Sequence, residues 1–418
     1  MSDVSVLSAA SQEAKSPDDQ VRSAQVKFGD NARDFHTLVV QGAGLELVTA
    51  GFYRFWLATD VRRHLWSHTS VEGDALEYTG AARELLIGFL VALAILVPIY
   101  LVYFLLGIEA ERLQAFASFP LVIFLYGFFQ FALYRARRYR TSRTIWRGVR
   151  FWMTGSGWAY ALRSLLWGLF AVVTLGIAYP WREAALERYK MRNTHYGNLQ
   201  GRFEGTGWGL FKQVWWIGFL IVAAVCSLFL TPVVVVIAWP RANPAVVVLA
   251  ALAPIVSFPF LYPLYKATSW RWWVSGARIG DVRFESYLPT GALMGKYWAV
   301  AGWGVLVLFI DGLLVAGLGG AVWAIIRFAG QDAGNAPLAL FLNEHVYALY
   351  VLSILNYLVI ALVINIFLRI YLVRGVWERI AATTIVHRLE TADNVVAMGG
   401  SANALGEGFA NDLDIGGF

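Results

Sequence analysis

The sequence predicts an all-α polytopic membrane protein with about six membrane-crossing helices, together with re-entrant or interfacial helices and short cytoplasmic strand–turn motifs. The first observation behind this prediction is composition. Of the 418 residues, 58% are hydrophobic and only 15% are charged, whereas soluble domains carry about 25% charged residues. The second is the length of several apolar runs, because about 20 apolar residues suffice to cross a bilayer. The third is a set of Arg-rich loops between these runs, a pattern typical of cytoplasmic loops.

Both ends of the chain are predicted to be disordered tails that flank one membrane domain. Residues 1–34 are rich in Ser, Ala, Asp and Gln and show no periodicity, which is typical of disorder. They lack the apolar core of a signal peptide, so we expect the transmembrane helices to direct insertion. Residues 35–388 are expected to form the membrane domain, beginning with a short strand at 35–41. Residues 389–418 are expected to form an acidic, Gly-rich C-terminal tail.

Six apolar segments are expected to cross the membrane. They lie at residues 85–106, 116–134, 215–239, 245–261, 298–326 and 347–372. The apolar segments 45–56 and 161–179 are shorter or barely long enough for a span, and both are expected to be re-entrant or in-plane helices. For 161–179, a full crossing remains the alternative.

Positive charge orients these helices. Residues 135–163 contain eight Arg and no acidic residue, and the loops at 182–212 and 266–296 are also basic. Because loops rich in Lys and Arg face the cytoplasm, we expect both termini and all the basic loops on the cytoplasmic side. Six crossings satisfy this arrangement, whereas a further crossing at 161–179 places one basic loop outside.

A motif recurs along the chain at residues 49–80, 134–155, 174–207 and, more weakly, 265–288. Five residues of the first copy lie at a constant offset from five residues of the third, and two of these have counterparts in the second. The matching positions are Thr49 with Thr174, Gly51 with Gly176, Trp56 with Trp181, Arg63 with Arg138 and Arg188, and Thr69 with Thr144 and Thr194. Self-similarity of this kind indicates a repeated structural unit.

Each copy of the motif predicts the same local structure. A basic, aromatic helix on the membrane surface ends near the Thr, a Gly supplies the turn, and an aromatic residue begins a short strand. The turns are expected at Gly73, Gly148, Gly197 and Gly280, because glycine accepts backbone angles that other residues resist. Strands exposed singly to water are marginal, so we expect neighbouring copies to pair their strands into a small cytoplasmic sheet.

These motif residues resemble the signature of the YjgN-like family of bacterial inner-membrane proteins. The similarity is clearest in Thr-Leu-Gly-Ile-x-x-Pro-Trp at residues 174–181, in Arg188-Tyr189 and in Asn193-Thr194. It covers about residues 35–388, although the first apolar segment is shorter than the family usually shows. The resemblance implies a multi-pass inner-membrane protein with this architecture. It implies no reaction, cofactor or catalytic residue.

An acidic residue deep within an apolar segment is the sharpest candidate for a functional site. Asp311 lies in the sequence VLVLFIDGLLVAGL, and a carboxylate at such depth costs about 2.5–3.5 kcal/mol on insertion scales. Its functional interpretation is a proton or cation relay, or a counter-charge for a substrate. The alternative is a protonated carboxyl that bonds a neighbouring helix. Asn356, Asn365 and Gln130 are the candidate partners, and each also suits helix–helix hydrogen bonding.

The repeated basic motifs supply a second set of candidates, for anion or lipid binding. These are Trp56, Arg63, Thr69, Arg138, Thr144, Trp181, Arg188 and Thr194. Arg forms paired hydrogen bonds with phosphate, so the motifs suit anionic lipid head groups. The alternatives are topology control with interfacial anchoring, and contact between Arg and the carbonyl ends of the short helices.

Two functions follow from these residues. The first is transport of a small solute or ion that uses Asp311, and the alternative is a lipid-binding or membrane-organising role for the Arg-rich modules. No catalytic motif supports an enzyme, and no cofactor is expected. No metal is expected either, because no acid or Cys completes a site with His64 and His68. The expected partners are membrane lipids with anionic head groups rather than nucleic acid, while a small-molecule substrate and a homo-oligomer remain open.

Overall fold

Helices make up most of the chain that the computed structural model describes, which is residues 22–109, 114–238, 243–329, 345–400 and 402. The α-helices are α1 (Ala32–Val48), α2 (Arg54–Ser67), α3 (Ala82–Glu109), α4 (Gln114–Ser142), α5 (Gly157–Val173), α6 (Tyr179–Arg192), α7 (Gly207–Ala238), α8 (Pro244–Gly276), α9 (Met294–Ala329), α10 (Val346–Phe367) and α11 (Gly375–Ala382). The π-helical segment Leu368–Arg374 joins α10 directly to α11, and a 3-10 helix at Leu389–Ala392 follows the last strand.

Short strands alternate with these helices. They are β1 (Ser23–Gln25), β2 (Lys27–Phe28), β3 (Thr69–Val71), β4 (Asp74–Tyr78), β5 (Thr144–Trp146), β6 (Val149–Met153), β7 (Thr194–Tyr196), β8 (Leu199–Phe203), β9 (Ala277–Ile279), β10 (Val282–Ser286) and β11 (Thr384–His387). From β3 to β10 they form four hairpins with matching strand lengths. The turns contain Gly73, Gly148, Gly197 and Gly280, all with positive φ, which confirms the predicted turn positions.

All of these strands belong to one antiparallel sheet that closes nearly into a ring. The strand order is β1-β11-β10-β9-β8-β7-β6-β5-β4-β3-β2, and only Val26 separates β1 from β2. The segment 23–28 therefore pairs with β11 on one side and with β3 on the other, while the Val26 amide donates to the Thr384 carbonyl at 3.0 Å. Closure of this kind leaves few exposed strand edges. We call this sheet the strand ring.

The strand ring contradicts the prediction of an all-α fold. Neighbouring motif copies do pair their strands, β4 with β5, β6 with β7 and β8 with β9. The remaining partners, β1, β2 and β11, lie at opposite ends of the described chain and are too short to show a period of their own. Residues 23–34, which the sequence assigns to a disordered tail, form β1, β2 and the start of α1.

The number of membrane-crossing helices also differs from the prediction of about six. Within the described residues, four helical stretches are long and apolar enough to cross: Ala82–Leu105, Gly207–Ala224, Met294–Ala324 and Val346–Ala382. The apolar segments 116–134 and 245–261 are parts of α4 and α8, and neither helix is among the four. Many side chains in those two segments lie outside the described part of the chain.

The first helix replaces the strand that the sequence predicts at 35–41. The Asn31 side chain caps α1 by accepting from the Arg33 amide at 3.1 Å. Phe35 and Val39 are one helical turn apart and pack in the core beside Leu57. Spacing of four residues places side chains on one helix face, so the β-branched pair at 39–40 belongs to an amphipathic helix.

Two helix hairpins, α1–α2 and α5–α6, occupy the segments that are predicted to be re-entrant. Thr49 and Thr174 cap the first helix of each pair, donating from Oγ1 to the carbonyl four residues earlier at 2.7 and 2.9 Å. Helices α1 and α5 have 17 residues each, about 26 Å at 1.5 Å per residue, which is less than the ~30 Å hydrocarbon core. Whether these hairpins enter the membrane stays a prediction.

Candidate functional site

The helix before three of the four hairpins, and the helix before β11, end in the same way. Four threonines stand at the junction of helix and strand: Thr69, Thr144, Thr194 and Thr384. Each donates its hydroxyl hydrogen to the carbonyl four residues earlier, at 2.7–2.9 Å. The fourth hairpin has Ala277 at this place. The predicted candidates Thr69, Thr144 and Thr194 therefore terminate helices, because their hydroxyl hydrogens are already donated within their own units.

Tryptophan indoles tie neighbouring units together through the same hydroxyls. Trp66 Nε1 donates to Thr144 Oγ1 at 3.0 Å, and Trp377 Nε1 donates to Thr69 Oγ1 at 2.8 Å. The two indoles also stack on each other, with ring centroids 4.8 Å apart. These contacts connect α11, α2 and β5 around the inside of the strand ring.

One face of each helix can be read by counting back from its junction residue. Offsets of four and seven residues are close to one and two helical turns, so the residues at these offsets share a face with the junction residue. In α4 these residues are Arg140 and Arg137. In α6 they are Lys190 and Glu187, and in α8 they are Trp273 and Trp270. The three helices therefore direct an unusual mixture of charged and aromatic side chains towards one space.

That space is a cavity of about 310 Å³ between α4, α6 and α8, which we call the cationic chamber. Its basic lining residues are Arg137, Arg140, Arg182, Lys190 and Lys266, and its acidic lining residues are Glu183 and Glu187. The predicted candidate Gln130 is buried and lines the same cavity. Among the described residues, Glu187 pairs with Arg137 and Lys190, Glu183 pairs with Arg182, and Lys266 has no carboxylate within ion-pair distance. The described lining therefore carries more positive than negative charge.

Glu187 is the centre of a buried network in this chamber. Its Oε2 accepts from Arg137 Nη1 at 3.1 Å and from Trp273 Nε1 at 2.7 Å, and Lys190 forms an ion pair with its other oxygen. Burial alone would raise the pKa of Glu187, but the charges of Lys190 and Arg137 outweigh it, so its pKa is lowered. Glu187 is therefore ionised, and two cations share its single charge.

A second carboxylate, Glu183, holds Arg182. Arg182 donates to Glu183 Oε1 at 2.6 Å and to Ser164 Oγ at 3.0 Å. The Tyr265 hydroxyl also lines this part of the chamber, and burial beside Glu183 raises its pKa to about 12. It therefore stays protonated near neutral pH.

Lys266 differs from the other cations of the chamber. Its Nζ lies 5.7 Å from the centre of the Tyr262 ring. No carboxylate of the described residues lies within ion-pair distance of it, and its side chain is half-buried. Lys266 therefore faces the chamber with its charge unbalanced by an acidic neighbour.

A second cavity of about 410 Å³ lies inside the strand ring, and we call it the apolar chamber. Every hairpin contributes to its wall, with residues such as Val71, Trp146, Tyr196, Ile279 and Val386. Arg137, Trp270 and Trp273 line both chambers. The two cavities therefore adjoin each other.

The predicted intramembrane residues do not converge. Asp311 lies half-buried in α9, and in the described part of the chain no hydrogen bond or ion pair joins it to Asn356, Asn365 or Gln130. Asn365 instead accepts from Arg369 at 2.5 Å, and Arg369 lies 3.7 Å from Glu46 of α1. A role for Asp311 in transport stays a prediction.

The motif arginines contact the backbone of their own units. Arg63 donates to the Gly80 carbonyl at 2.9 Å, and Arg138 and Arg271 reach the carbonyls of Gly155 and Leu288 at 3.5 Å. In all three units the acceptor lies 17 residues later and follows the second strand. This shared contact supports a structural role for the motif arginines.

The remaining motif candidates lie outside both chambers. Arg188 is exposed on α6. Trp56 is partly exposed and stacks on Tyr53, while Trp181 packs against Phe211 near the start of α7. None of these three side chains lines either chamber.

Sequence reasoning overlooked the residues that do line the cationic chamber. Arg137 is adjacent to the motif residue Arg138, yet one position changes the direction of a helical side chain by about 100°. Counting back four and seven residues from each junction threonine identifies Arg137, Arg140, Glu187 and Lys190. The helical period of the sequence therefore identifies the residues that line the chamber, whereas the residues that match between motif copies do not.

The fold and the site define a class of protein. Four helical stretches of the described residues are long and apolar enough to cross a bilayer, which indicates a membrane protein. Its helices converge on a strand ring with a charged cavity beside it. The chain belongs to a bacterial family described as "Bacterial protein of unknown function (DUF898)", whose model matches residues 23–412. This family is the YjgN-like family, so the resemblance seen in the sequence is confirmed. Neither the curated proteins nor the solved structures contain a match to the chain.

Proposed function

We propose that this membrane protein binds the anionic head group of a membrane lipid in the cationic chamber. One observation carries the proposal. Helices α4, α6 and α8 bring five cations and two carboxylates around one cavity of about 310 Å³. These cations are partly buried, and Lys266 has no carboxylate of the described residues within ion-pair distance. An anion in the chamber would balance this charge, because unpaired charges are costly to bury.

The chemistry of the lining residues suits a phosphate. Arg137, Arg140 and Arg182 carry planar guanidinium groups, which can form paired hydrogen bonds with phosphate oxygens. Lys266 adds a point charge, and the protonated Tyr265 hydroxyl adds a polar group at the wall. Glu187 holds Arg137 and Lys190 in place before any ligand arrives, which lowers the cost of ordering them.

The placement of this chamber in the membrane belongs to the same proposal. The basic units and both termini face the cytoplasm of a bacterial inner membrane, as the Arg-rich loops predict. The tips of α1–α2 and α5–α6 dip into the bilayer as re-entrant hairpins. Their exposed apolar side chains support this, since Val48 is 84% and Leu175 is 77% exposed. The chamber then lies near the level of lipid head groups.

Lipid binding is favoured over transport by the position of the charges. The cations converge on one cavity, whereas Asp311 has no described contact with its predicted partners. Transport of a small solute or ion therefore remains a prediction without a supporting contact. No reaction is proposed for the chamber.

The test compares two lysines in the full-length protein. Purified protein in a neutral detergent is titrated with phosphatidic acid or phosphatidylcholine, and native mass spectrometry counts the bound lipids. Wild type should prefer phosphatidic acid. Lys266→Gln should weaken this binding about tenfold, the usual effect of losing one charge-assisted hydrogen bond.

Lys212→Gln is the matched control. Lys212 also lies over an aromatic ring, 5.5 Å from the centre of Trp208, but it is exposed on α7 outside the chamber. It should leave the preference for phosphatidic acid unchanged. Equal losses in both variants, or a wild type that treats the two lipids alike, would refute the proposal.

A further inference from the structure

Building on the proposed head-group site, we infer that the apolar chamber inside the strand ring holds one acyl chain of the same lipid. The protein would then bind the ligand at two places, its phosphate between α4, α6 and α8 and its chain within the ring. This inference rests on four features of the apolar chamber: its size, its mostly apolar wall, its shared boundary with the cationic chamber and the segment that covers part of it.

The size of the chamber argues for an occupant. Protein interiors pack as densely as organic crystals, and voids larger than a water molecule are few. The apolar chamber has a volume of about 410 Å³. A chamber of this volume is large enough to take a segment of hydrocarbon chain, and a chain inside it gains the packing contacts that a cavity forfeits.

The wall of the chamber is suited to a hydrocarbon rather than to water. Most of its lining side chains are aliphatic or aromatic. The hydroxyls of Thr69, Thr144 and Thr194 all face it, but each already donates to its own helix. Among the described lining residues, Trp146 Nε1 is a buried donor without a hydrogen-bond partner, and a wall with so few free polar atoms favours apolar ligands.

The boundary between the chambers identifies the kind of hydrocarbon. Arg137, Trp270 and Trp273 line both cavities, so a ligand that crosses this boundary is apolar on one side and meets positive charge on the other. Arg137 lies with its guanidinium 5.4 Å from the centre of the Trp273 ring. An anionic lipid has this distribution of charge and apolar surface, whereas a neutral hydrocarbon leaves the cations unused.

The segment after β11 forms part of the wall of the apolar chamber. Leu389 and Ala392 of the 3-10 helix are buried and line the chamber. Asp393, the next residue, forms ion pairs with Arg22 at 2.6 Å and with Arg147 at 2.9 Å. These ion pairs hold the segment in place against the chamber.

The experiment separates the chain from the head group. Two lysophosphatidic acids with the same head group, one with a short and one with a long acyl chain, are titrated into the full-length protein in nanodiscs of phosphatidylcholine. Wild type should bind the long-chain lipid at least about tenfold more tightly. Val71→Trp places an indole in the chamber and should abolish this difference, while binding of the short-chain lipid is retained.

Ser70→Trp is the matched control, because consecutive strand residues point to opposite faces of the sheet and Ser70 does not line the chamber. It should keep the wild-type difference. Ala277→Leu narrows the chamber with a smaller change and serves if Val71→Trp does not fold. Circular dichroism and size-exclusion chromatography identify the variants that do.

The outcomes distinguish this inference from the proposed function. If short and long chains bind wild type equally, and Lys266→Gln weakens both, the head-group site stands and the chain site is refuted. If neither lipid binds above phosphatidylcholine, both proposals are refuted. A long-chain preference that survives Val71→Trp and Ala277→Leu in folded protein also refutes the chain site.

Discussion

The two sides of the strand ring use the same helix–hairpin unit but are filled differently. On one side, the positions seven residues before the junctions of α4, α6 and α8 carry Arg137, Glu187 and Trp270, and they border the cationic chamber. On the other side, the same position carries Arg62 in α2 and Trp377 in α11. We call these the open side and the packed side.

Direct contacts fill the packed side. Arg62 Nη1 donates to the Tyr78 hydroxyl at 3.1 Å, and Trp377 stacks on Trp66 while it bonds Thr69. Phe35 and Leu57 lie in the same core cluster. The charges on this side are matched to hydrogen-bond partners within the unit.

Behind these contacts, the packed side balances its ionic groups as well. Asp30 is almost fully buried, accepts from Arg374 at 2.7 and 2.8 Å and lies 3.2 Å from His64 Nε2. One carboxylate thus meets one permanent cation, whereas on the open side Glu187 is shared by Arg137 and Lys190. The helix–hairpin unit determines which positions face the ring. The residue types four and seven positions before each junction then determine whether the unit is filled by direct contacts or borders a cavity.

The largest effect should come from removing the shared carboxylate of the open side. Glu187→Gln keeps the shape of the side chain but leaves Arg137 and Lys190 without their counter-charge. Loss of one partner in a buried ion pair costs about 3–5 kcal/mol, so we expect a clear fall in Tm in thermal unfolding. Glu204→Gln is the control, because Glu204 is half-exposed and pairs with Arg278 at the surface. A Tm that is equal in the two variants would show that the Glu187 network is not essential to the fold.

A smaller effect is expected on the packed side, where His64 should make the stability of the protein depend on pH. Burial lowers the pKa of His64, despite its contact with Asp30, so the folded protein resists a proton that the unfolded chain accepts. The contribution of neutral His64 to stability is therefore fully present above about pH 6.5, the ordinary pKa of His. This contribution is lost as the pH falls from there towards the lower pKa of His64 in the folded protein. The loss should approach about 1.4 kcal/mol per unit of pKa difference.

Tm measured at neutral and mildly acidic pH tests this expectation. His64→Gln should flatten the profile, and the exposed His36 provides the control, since His36→Gln should leave it unchanged. His195, whose pKa burial also lowers, supplies a residual slope. Asp30 stays ionised throughout, because the bonds from Arg374 and His64 outweigh burial and lower its pKa. An identical slope in wild type and His64→Gln would contradict the assignment.

The smallest effect is expected at a threonine junction, a feature that occurs on both sides of the ring. Thr194→Ala removes the bond to the Lys190 carbonyl and should cost about 1 kcal/mol. The protein already tolerates Ala277 at the equivalent place, so the hairpin itself should form. A loss in Tm as large as that of Glu187→Gln would mean that the junction, rather than the charge network, controls the open side.

The turns and the pairing of neighbouring hairpins were predictable from the sequence, whereas the closure of the strand ring was not. The turns at Gly73 and Gly148 follow from glycine's tolerance of positive φ, and the pairing of neighbouring hairpins follows from the instability of single strands. The strand ring depends on pairing between Ser23–Gln25 and Thr384–His387. A three-residue strand has no period to read, and only tertiary structure reveals its partner.

The candidate site shows the same division. Gln130 was predicted as a partner of Asp311, and the structure places it at the wall of the cationic chamber instead. Arg63 and Arg138 stood out because they match between copies, yet they bond backbone carbonyls of their own units. Residues that maintain a repeated unit match between its copies, whereas Arg137, Glu187 and Trp270 differ from each other because they form one asymmetric cavity.

The strand ring closes where a strand from the beginning of the chain pairs with a strand from its end, and this sets the order of assembly during synthesis. The segment 23–28 leaves the ribosome before every other described strand, yet its partner β11 is made after the last membrane helix. Arg22 and Glu390, which bond across this seam, are 368 residues apart in sequence. A nascent chain therefore keeps the interior of the ring accessible from the seam while its helices insert. Translation of the final strand is the step that completes the ring, because β11 pairs with β1 on one side and with β10 on the other.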